Sequence, residues 1–228
     1  MSLIGDLREL LLPRVCPVCG RLLMGSEDVM CAFCAIQLPR HYVLDFDDNA
    51  MLRSIWDRAD IRRATTLLRY NRESPYHNLV VAFKYHGKSD LAVKLGRWAA
   101  TEAERQGFWE GVDGLVPVPL HWWRHLRRGY NQAERLAQGM ADVTGLPVVD
   151  LLRRTKYRKP QSQLTGAARR RNAEGIYEAA VPLEWQGKRL VLVDDVMTTG
   201  STLANCALAL QKADKNAELC IFPLCYAG

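Results

Sequence analysis

The run RLVLVDDVMTTGSTLANCALALQKA, Arg189 to Ala213, decides the fold. Leu190 to Val193 are four consecutive apolar residues, the pattern of a strand covered on both faces, as in a parallel sheet. They lead straight into Asp194 and Asp195, then into a clump of Thr, Gly and Ser, then into apolar residues at helical spacing. The strand is expected to end at Val193, with both carboxylates just beyond it.

Moving outward from this unit, the same alternation recurs. ATTLLRY (Ala64 to Tyr70), DGLVPVPL, LPVVDLL and AELCIFPLC are short strand candidates. Between them, SPYHNLVVAFKYHG carries Ser74 as an N-cap candidate, Pro75 at the first helical position and Gly87 as a stop. A second helix is expected over about Ser89 to Arg105, and NQAERLAQGMADVTG is a third, stopped by Gly145. Helices alternating with nearly all-apolar strands predict an α/β fold, a mostly parallel sheet with helices on both faces.

Composition bounds the function classes. At 228 residues, 48% hydrophobic and 25% charged, the chain is globular and not disordered. No apolar run approaches the roughly 20 residues that span a bilayer. The opening MSLIGDLRELLLPRVCPVCG places Asp6 and Glu9 within its apolar stretch. It therefore reads as an amphipathic helix with Ile4, Leu7, Leu10 and Leu11 on one face, not as a signal peptide, and a cytoplasmic location with no membrane insertion is expected. The net charge of +6 is concentrated: Leu151 to Asn172 holds eight Lys/Arg and no Asp/Glu, and taking eight from 31 basic residues leaves 23 against 25 acidic. An anionic partner is expected there, although a solvated surface loop has the same composition.

Four of the seven cysteines, Cys16, Cys19, Cys31 and Cys34, form C-x2-C-x11-C-x2-C. Each C-x2-C turns tightly enough to aim two thiolates at one ion, and two such knuckles complete a tetrahedral shell. A redox pair needs no second copy, and a cytosolic setting disfavours disulfides. Structural zinc is the expectation, with no open coordination position for chemistry. The ribbon is expected to end near His41, followed by an acidic linker and entry segment, DFDDNAMLRSIWDRAD. The domain division expected is 1–50 for opening helix, ribbon and linker, and 51–228 for the main body. Cys206, Cys220 and Cys225 lie in apolar runs and suit a core.

Ligands of open parallel sheets sit beyond the C-terminal ends of the strands. Paired acceptor-only groups there suit the vicinal hydroxyls of a ribose, or a hydrated divalent ion. Thr198, Thr199, Gly200, Ser201 and Thr202 then offer free N–H groups and hydroxyls at a helix start, an anion cradle. Ordinary helix capping by Asp, Thr and Ser is the plainer alternative.

This combination resembles the phosphoribosyl pyrophosphate (PRPP) loop of type I phosphoribosyltransferases. The four-cysteine ribbon, AFKYHGKSDLA, VPVPLHWWRHLRRGYNQAERLA, QSQLTGAARRRNAEGIY and LVLVDDVMTTGST occur in the order seen in the ComF/GntX family. The resemblance implies a type I phosphoribosyltransferase fold with a zinc ribbon, and a link to DNA uptake in natural competence or to use of DNA as a nutrient. It implies that Asp194 and Asp195 hold the ribose hydroxyls and help to position Mg2+, and that residues 198–202 hold the 5-phosphate. It further implies a pyrophosphate side built from Leu120, His121 and Trp122, with Arg124, Arg127 or Arg128 as nearby cations. Lys84 is a further candidate there, or else a lysine lying along an amphipathic helix.

The basic segment from Arg153 to Asn172, with Arg169, Arg170 and Arg171, is expected to close as a lid. Asp195 is a candidate to accept a proton from the nucleophile. His77, His86 and His125 read as surface residues. Trp122, Trp123, Tyr130 and Tyr157, interleaved with arginines, suit either single-stranded nucleic acid or the core. Two functions follow: an enzyme transferring phosphoribosyl to an acceptor, or a PRPP- or nucleotide-responsive module that contacts single-stranded DNA or a helicase of the uptake machinery. A structural adaptor is a third, disfavoured by the intact Asp194–Thr202 motif.

Overall fold

The computed structural model describes residues 14–84, 89–120, 126, 128–155 and 176–228. The amphipathic opening helix, His121, Trp122, Trp123, Arg124, Arg127, Tyr157, His86, His125 and the lid arginines Arg169, Arg170 and Arg171 lie outside the described residues.

The described chain contains a five-stranded parallel sheet. Its two central strands are β6 (Arg189–Met197) and β7 (Glu218–Tyr226). β3 (Gly114–Pro117) flanks β6, and β1 (Arg63–Ala64) and β2 (Leu68–Arg69) both pair with β7. Val191, Val193, Cys220 and Phe222 are buried on one face of the sheet, in one cluster with the helices α3 (His77–Lys84), α4 (Ser89–Glu104) and α5 (Gln132–Thr144). Leu190, Leu192, Leu219 and Ile221 are buried on the other, against α6 (Ser201–Ala213). The continuous apolar runs are thus explained: every residue of β6 from Leu190 to Val193 is covered.

Three expectations about strands need correcting. β6 does not stop at Val193 but runs through both aspartates to Met197, because β7 continues alongside it and supplies ladder partners as far as Tyr226. On its other side β6 loses β3 at Val193, so the carboxylates lie past the end of one neighbour and beside the other. Nor is Ala64 to Tyr70 one strand. It divides into β1 and β2, and Pro223 of β7, with no N–H to give, falls in the gap between the residues they pair with. Within that gap the Thr66 hydroxyl donates to the Leu224 carbonyl at 3.1 Å. LPVVDLL likewise supplies only one bridge, Val148 to Leu115, before β4 (Leu152–Arg154) turns into an antiparallel pair with β5 (Tyr177–Ala179).

The helices follow their sequence signals closely. Asn131 caps α5 by accepting from Ala133 N–H, and Gly145 ends it in the left-handed conformation. α4 and α5 approach backbone to backbone: a Cβ at Gly96 would collide with the Leu136 carbonyl, and one at Gly139 with the Val93 carbonyl. α3 begins later than the Ser74–Pro75 signal, at His77, after a turn in which His77 N–H bonds the Ser74 carbonyl.

Of the two roles expected for 45–60, the stretch serves as an entry segment packed on the main body and not as a free linker. Asn49 caps a short helix α2 (Ala50–Arg53), its side-chain Oδ1 accepting from Met51 and Leu52 N–H. Met51, Leu52 and Ile55 are buried in the α6-side cluster. Apolar residues at that spacing form one helical face, which outweighs the acidic composition around it. The cysteine ribbon is not free-standing either: Cys16, Val18, Met30, Cys31, Cys34 and Leu38 belong to the same buried cluster as α3, α4 and α5.

Candidate functional site

The strand alternation that builds the sheet also separates the two carboxylates. Successive side chains of a strand point to opposite faces. Asp195 faces α3, where its Oδ2 lies 2.9 Å from Lys84 Nζ. Asp194 lies toward α6, close enough to act on the Cys206 thiol, as does Arg154 of β4. Asp194 Oδ1 also accepts the Asp195 N–H at 2.8 Å. The two like charges are therefore not stacked on one another. Asp195 is compensated by a cation from a distant part of the sequence.

Lys84 is the last residue of α3 and is only 20% exposed, with Asp195 at 17%. A second tie fixes this helix end: the Tyr130 hydroxyl donates to the Phe83 carbonyl. Tyr130 belongs to the segment GYNQ, and its neighbours are also anchored. Asn131 Nδ2 donates to the Val118 carbonyl at the end of β3. The nearly fully buried Gln132 accepts from Arg128 Nη1 at 2.8 Å and donates to the Tyr130 carbonyl. Of the candidate pyrophosphate-side residues, Lys84, Leu120 and Arg128 are described. The structure brings Lys84 onto Asp195, leaves Leu120 half-buried beyond β3, and ties Arg128, which precedes α5, to its first residue Gln132.

Beyond β6 the loop turns at Gly200, whose φ of 69° belongs to the left-handed region. A Cβ there would strike Ile55 and the Met197 side chain. Only glycine brings the loop this close to residues 54–55. Among the described residues no side chain caps α6, and Thr198, Thr199, Ser201 and Thr202 are all exposed around its start. The plainer alternative of side-chain capping is thus not what the loop does. Thr199 Oγ1 and Ser201 Oγ lie 3.0 Å apart. Arg58, which sequence reasoning passed over inside the acidic linker and entry segment, reaches across to both residues. The buried spacing of Met51, Leu52 and Ile55 was the available signal that this segment packs on the loop.

His77 was expected at the surface. It is half-buried instead, its Nδ1 2.7 Å from the Tyr70 hydroxyl. Cys206, Cys220 and Cys225 are buried, and burial pushes each thiol up, Cys220 to about 11.

The ribbon brings Cys16, Cys19, Cys31 and Cys34 together with their sulfurs all within 4.8 Å of one another, and Cys19 Sγ to Cys31 Sγ at 3.6 Å. A tetrahedral ion with metal–sulfur bonds of about 2.3 Å needs sulfurs about 3.8 Å apart, so the donor set fits. The first knuckle closes through Gly20 N–H to the Cys16 carbonyl, with Gly20 at φ 75°. Cys31 stands at the start of the short helix α1 (Ala32–Ile36), which carries Cys34. Glu27 accepts from the N–H groups of Met24 and Ala32, holding this turn in place. The Tyr76 hydroxyl donates to the Cys34 carbonyl at 2.8 Å, joining the ribbon to the lead-in of α3.

The phosphoribosyl transferase domain model matches residues 125–221, the part containing β6, its loop and α6. Competence protein F of Haemophilus influenzae is 34% identical over 143 residues, 60% of this chain and 62% of that protein. DNA utilization protein YhgH of Escherichia coli K12 is 28% identical over 200 residues, covering 86% and 83%. Competence protein ComFC of Bacillus subtilis is 24% identical over 213 residues, covering 92% and 77%. The chain is similar to these competence and DNA utilization proteins. Its match spans less than two thirds of the Haemophilus relative. The fold is accordingly of the phosphoribosyltransferase type, a mostly parallel sheet with helices and an N-terminal four-cysteine cluster. Among solved structures, the glutamine PRPP amidotransferase from B. subtilis is similar at 21% identity and a TM-score of 0.43, over 62% of this chain and 30% of that one. No helix of this chain, among the described residues, is long and apolar enough to cross a membrane.

Proposed function

We propose that this chain binds PRPP with Mg2+ at the C-terminal end of its sheet and transfers the phosphoribosyl group to an acceptor in the use of imported DNA. The observation that carries this is the continuity of three features: a carboxylate strand end, a left-handed Gly200, and an uncapped helix start ringed by hydroxyls. Asp194 and Asp195 hold the ribose hydroxyls, and residues 198–202 hold the 5-phosphate. Lys84, Leu120 and Arg128, with His121, Trp122, Arg124 and Arg127, form the pyrophosphate side, and Arg169, Arg170 and Arg171 belong to a closing lid. Bound Mg2+ supplies charge neutralisation for the pyrophosphate.

In the reaction, the bond from ribose C1 to pyrophosphate oxygen breaks, pyrophosphate leaves with the electron pair, and the acceptor nucleophile forms the new bond to C1. The nucleophile's proton passes to Asp195. The Lys84 ammonium occupies an Asp195 oxygen in the free protein. Ligand entry therefore exchanges one partner for another, and the released ammonium is positioned for the pyrophosphate.

The ribbon cysteines hold zinc as a structural ion, and 1–50 serves as an accessory to the 51–228 domain. A cytoplasmic location suits both a PRPP ligand and reduced thiols. The relatives' names, a competence protein and a DNA utilization protein, fit a second reading equally well, in which PRPP or a nucleotide controls contact with single-stranded DNA or the uptake machinery without turnover.

Phosphorus NMR of Mg2+–PRPP with zinc-loaded protein, with and without a small-molecule cell extract, separates the two. Extract-dependent pyrophosphate release that is lost in Asp195→Asn, with zinc still bound, supports the enzyme. Line broadening without turnover supports the module. The absence of both broadening and turnover refutes PRPP binding.

A further inference from the structure

Arg58 stands outside every motif that brought the site to light, yet its guanidinium is built into the loop. It follows α2 in a turn whose Ile55 is fully buried beneath Gly200. Arg58 Nη2 donates to the Thr199 carbonyl at 2.6 Å and to the Ser54 carbonyl at 2.5 Å. Nη1 donates to Ser201 Oγ at 3.0 Å, and Nε lies 3.7 Å from Asp57 Oδ1. The side chain is 27% exposed, so one edge still meets solvent.

Two consequences follow from hydrogen-bond chemistry. A hydroxyl has one proton and two lone pairs. With an Arg58 N–H on a lone pair of Ser201 Oγ, the serine proton is left to be donated, to Thr199 Oγ1 in the free protein or to an incoming acceptor. The planar fork, clamped by two carbonyls, also fixes a positive charge beside an uncapped helix start, whose own partial charge has the same sign. Nothing in that arrangement recognises a neutral sugar. It suits a dianionic phosphomonoester.

We infer that Arg58 is a positioning residue of the loop, fixing Thr199 and Ser201 for a phosphomonoester and supplying the cation that selects its dianion. This rests on the reading of residues 198–202 as the 5-phosphate cradle.

The test is calorimetric titration of the full zinc-loaded chain with two probes, ribose 5-phosphate and pyrophosphate with Mg2+. Wild type is compared with Arg58→Ala, Arg58→Lys and Arg53→Ala. Arg53 is a control of equal charge change, 69% exposed and paired with Asp48 away from the loop. Arg58→Ala is expected to weaken ribose 5-phosphate at least tenfold while pyrophosphate changes less than twofold. Arg58→Lys keeps the charge but cannot hold the Thr199 carbonyl and the Ser201 hydroxyl in one plane, so a loss of about threefold or more is expected. Arg53→Ala changes neither.

The monoester's second ionisation, near pH 6, gives an independent readout. Wild type gains affinity for ribose 5-phosphate between pH 5.5 and 7.5, and Arg58→Ala gains less. An unchanged ribose 5-phosphate affinity in both Arg58 variants, or equal losses for both probes, overturns the inference. If Arg58→Ala does not fold, Arg58→Lys decides alone. Wild type that binds pyrophosphate but no ribose 5-phosphate refutes the cradle itself, and this inference with it.

Discussion

Lys84 Nζ and Asp195 Oδ2 lie 2.9 Å apart, although 110 residues separate them in sequence, and their contact joins the end of α3 to the carboxylate strand. Both side chains are mostly covered, so the pair is better shielded than a surface ion pair. A double-mutant cycle of Lys84→Met and Asp195→Asn is expected to give a coupling of about 1 kcal/mol in urea unfolding. Coupling indistinguishable from zero would mean that the contact contributes nothing in solution.

Gly200 and Gly145 share a left-handed φ but not their surroundings. Gly145→Ala meets no atom within 4 Å, so it should cost about 1 kcal/mol, the backbone penalty alone. Gly200→Ala adds a collision with Ile55 and Met197, and a total above about 2 kcal/mol is expected. Equal losses in chemical denaturation would show that Ile55 yields at no cost.

Removing the metal expected in the ribbon should be felt in α3. Cys34 is buried in one cluster with Leu79, Val80 and Phe83, and its carbonyl holds Tyr76. After chelation, amide exchange across His77–Lys84 should quicken at least tenfold, while Leu190 to Val193 at the centre of the sheet stay protected. Unchanged exchange in α3 would mean that the ribbon's contacts do not stabilise it.

Buried thiols make the fold sensitive to alkali. Burial raises Cys220 from its ordinary 9.0 to about 11, against the lowering pull of Arg189. The unfolded chain then loses this proton first, so the stability contribution is complete below pH 9 and is lost as pH rises to 11. The contribution amounts to about 3 kcal/mol. Cys220→Ala should flatten the fall in urea midpoint between pH 9 and 11, though not abolish it, since burial raises Cys206 and Cys225 as well. An unaltered slope would place the alkaline loss elsewhere.

Much of this protein was legible in the order of its residues. Local patterns carry local structure: the apolar run of β6, Asn131 and Gly145 at the ends of α5, and the spacing of Cys16, Cys19, Cys31 and Cys34 each specify their geometry within a few residues. What tertiary structure alone decided is which distant groups meet. The length of β6 depended on β7 continuing beside it, and the division of β1 from β2 coincides with Pro223 on another strand. The partner of Asp195 came from α3, and the guanidinium on Thr199 and Ser201 came from a stretch whose acidic composition concealed its buried face. Periodicity reports what a residue does within its own helix or strand. A salt bridge or a clamp between positions 111 or 143 apart in sequence leaves no such trace, because it depends on how the sheet stacks its layers.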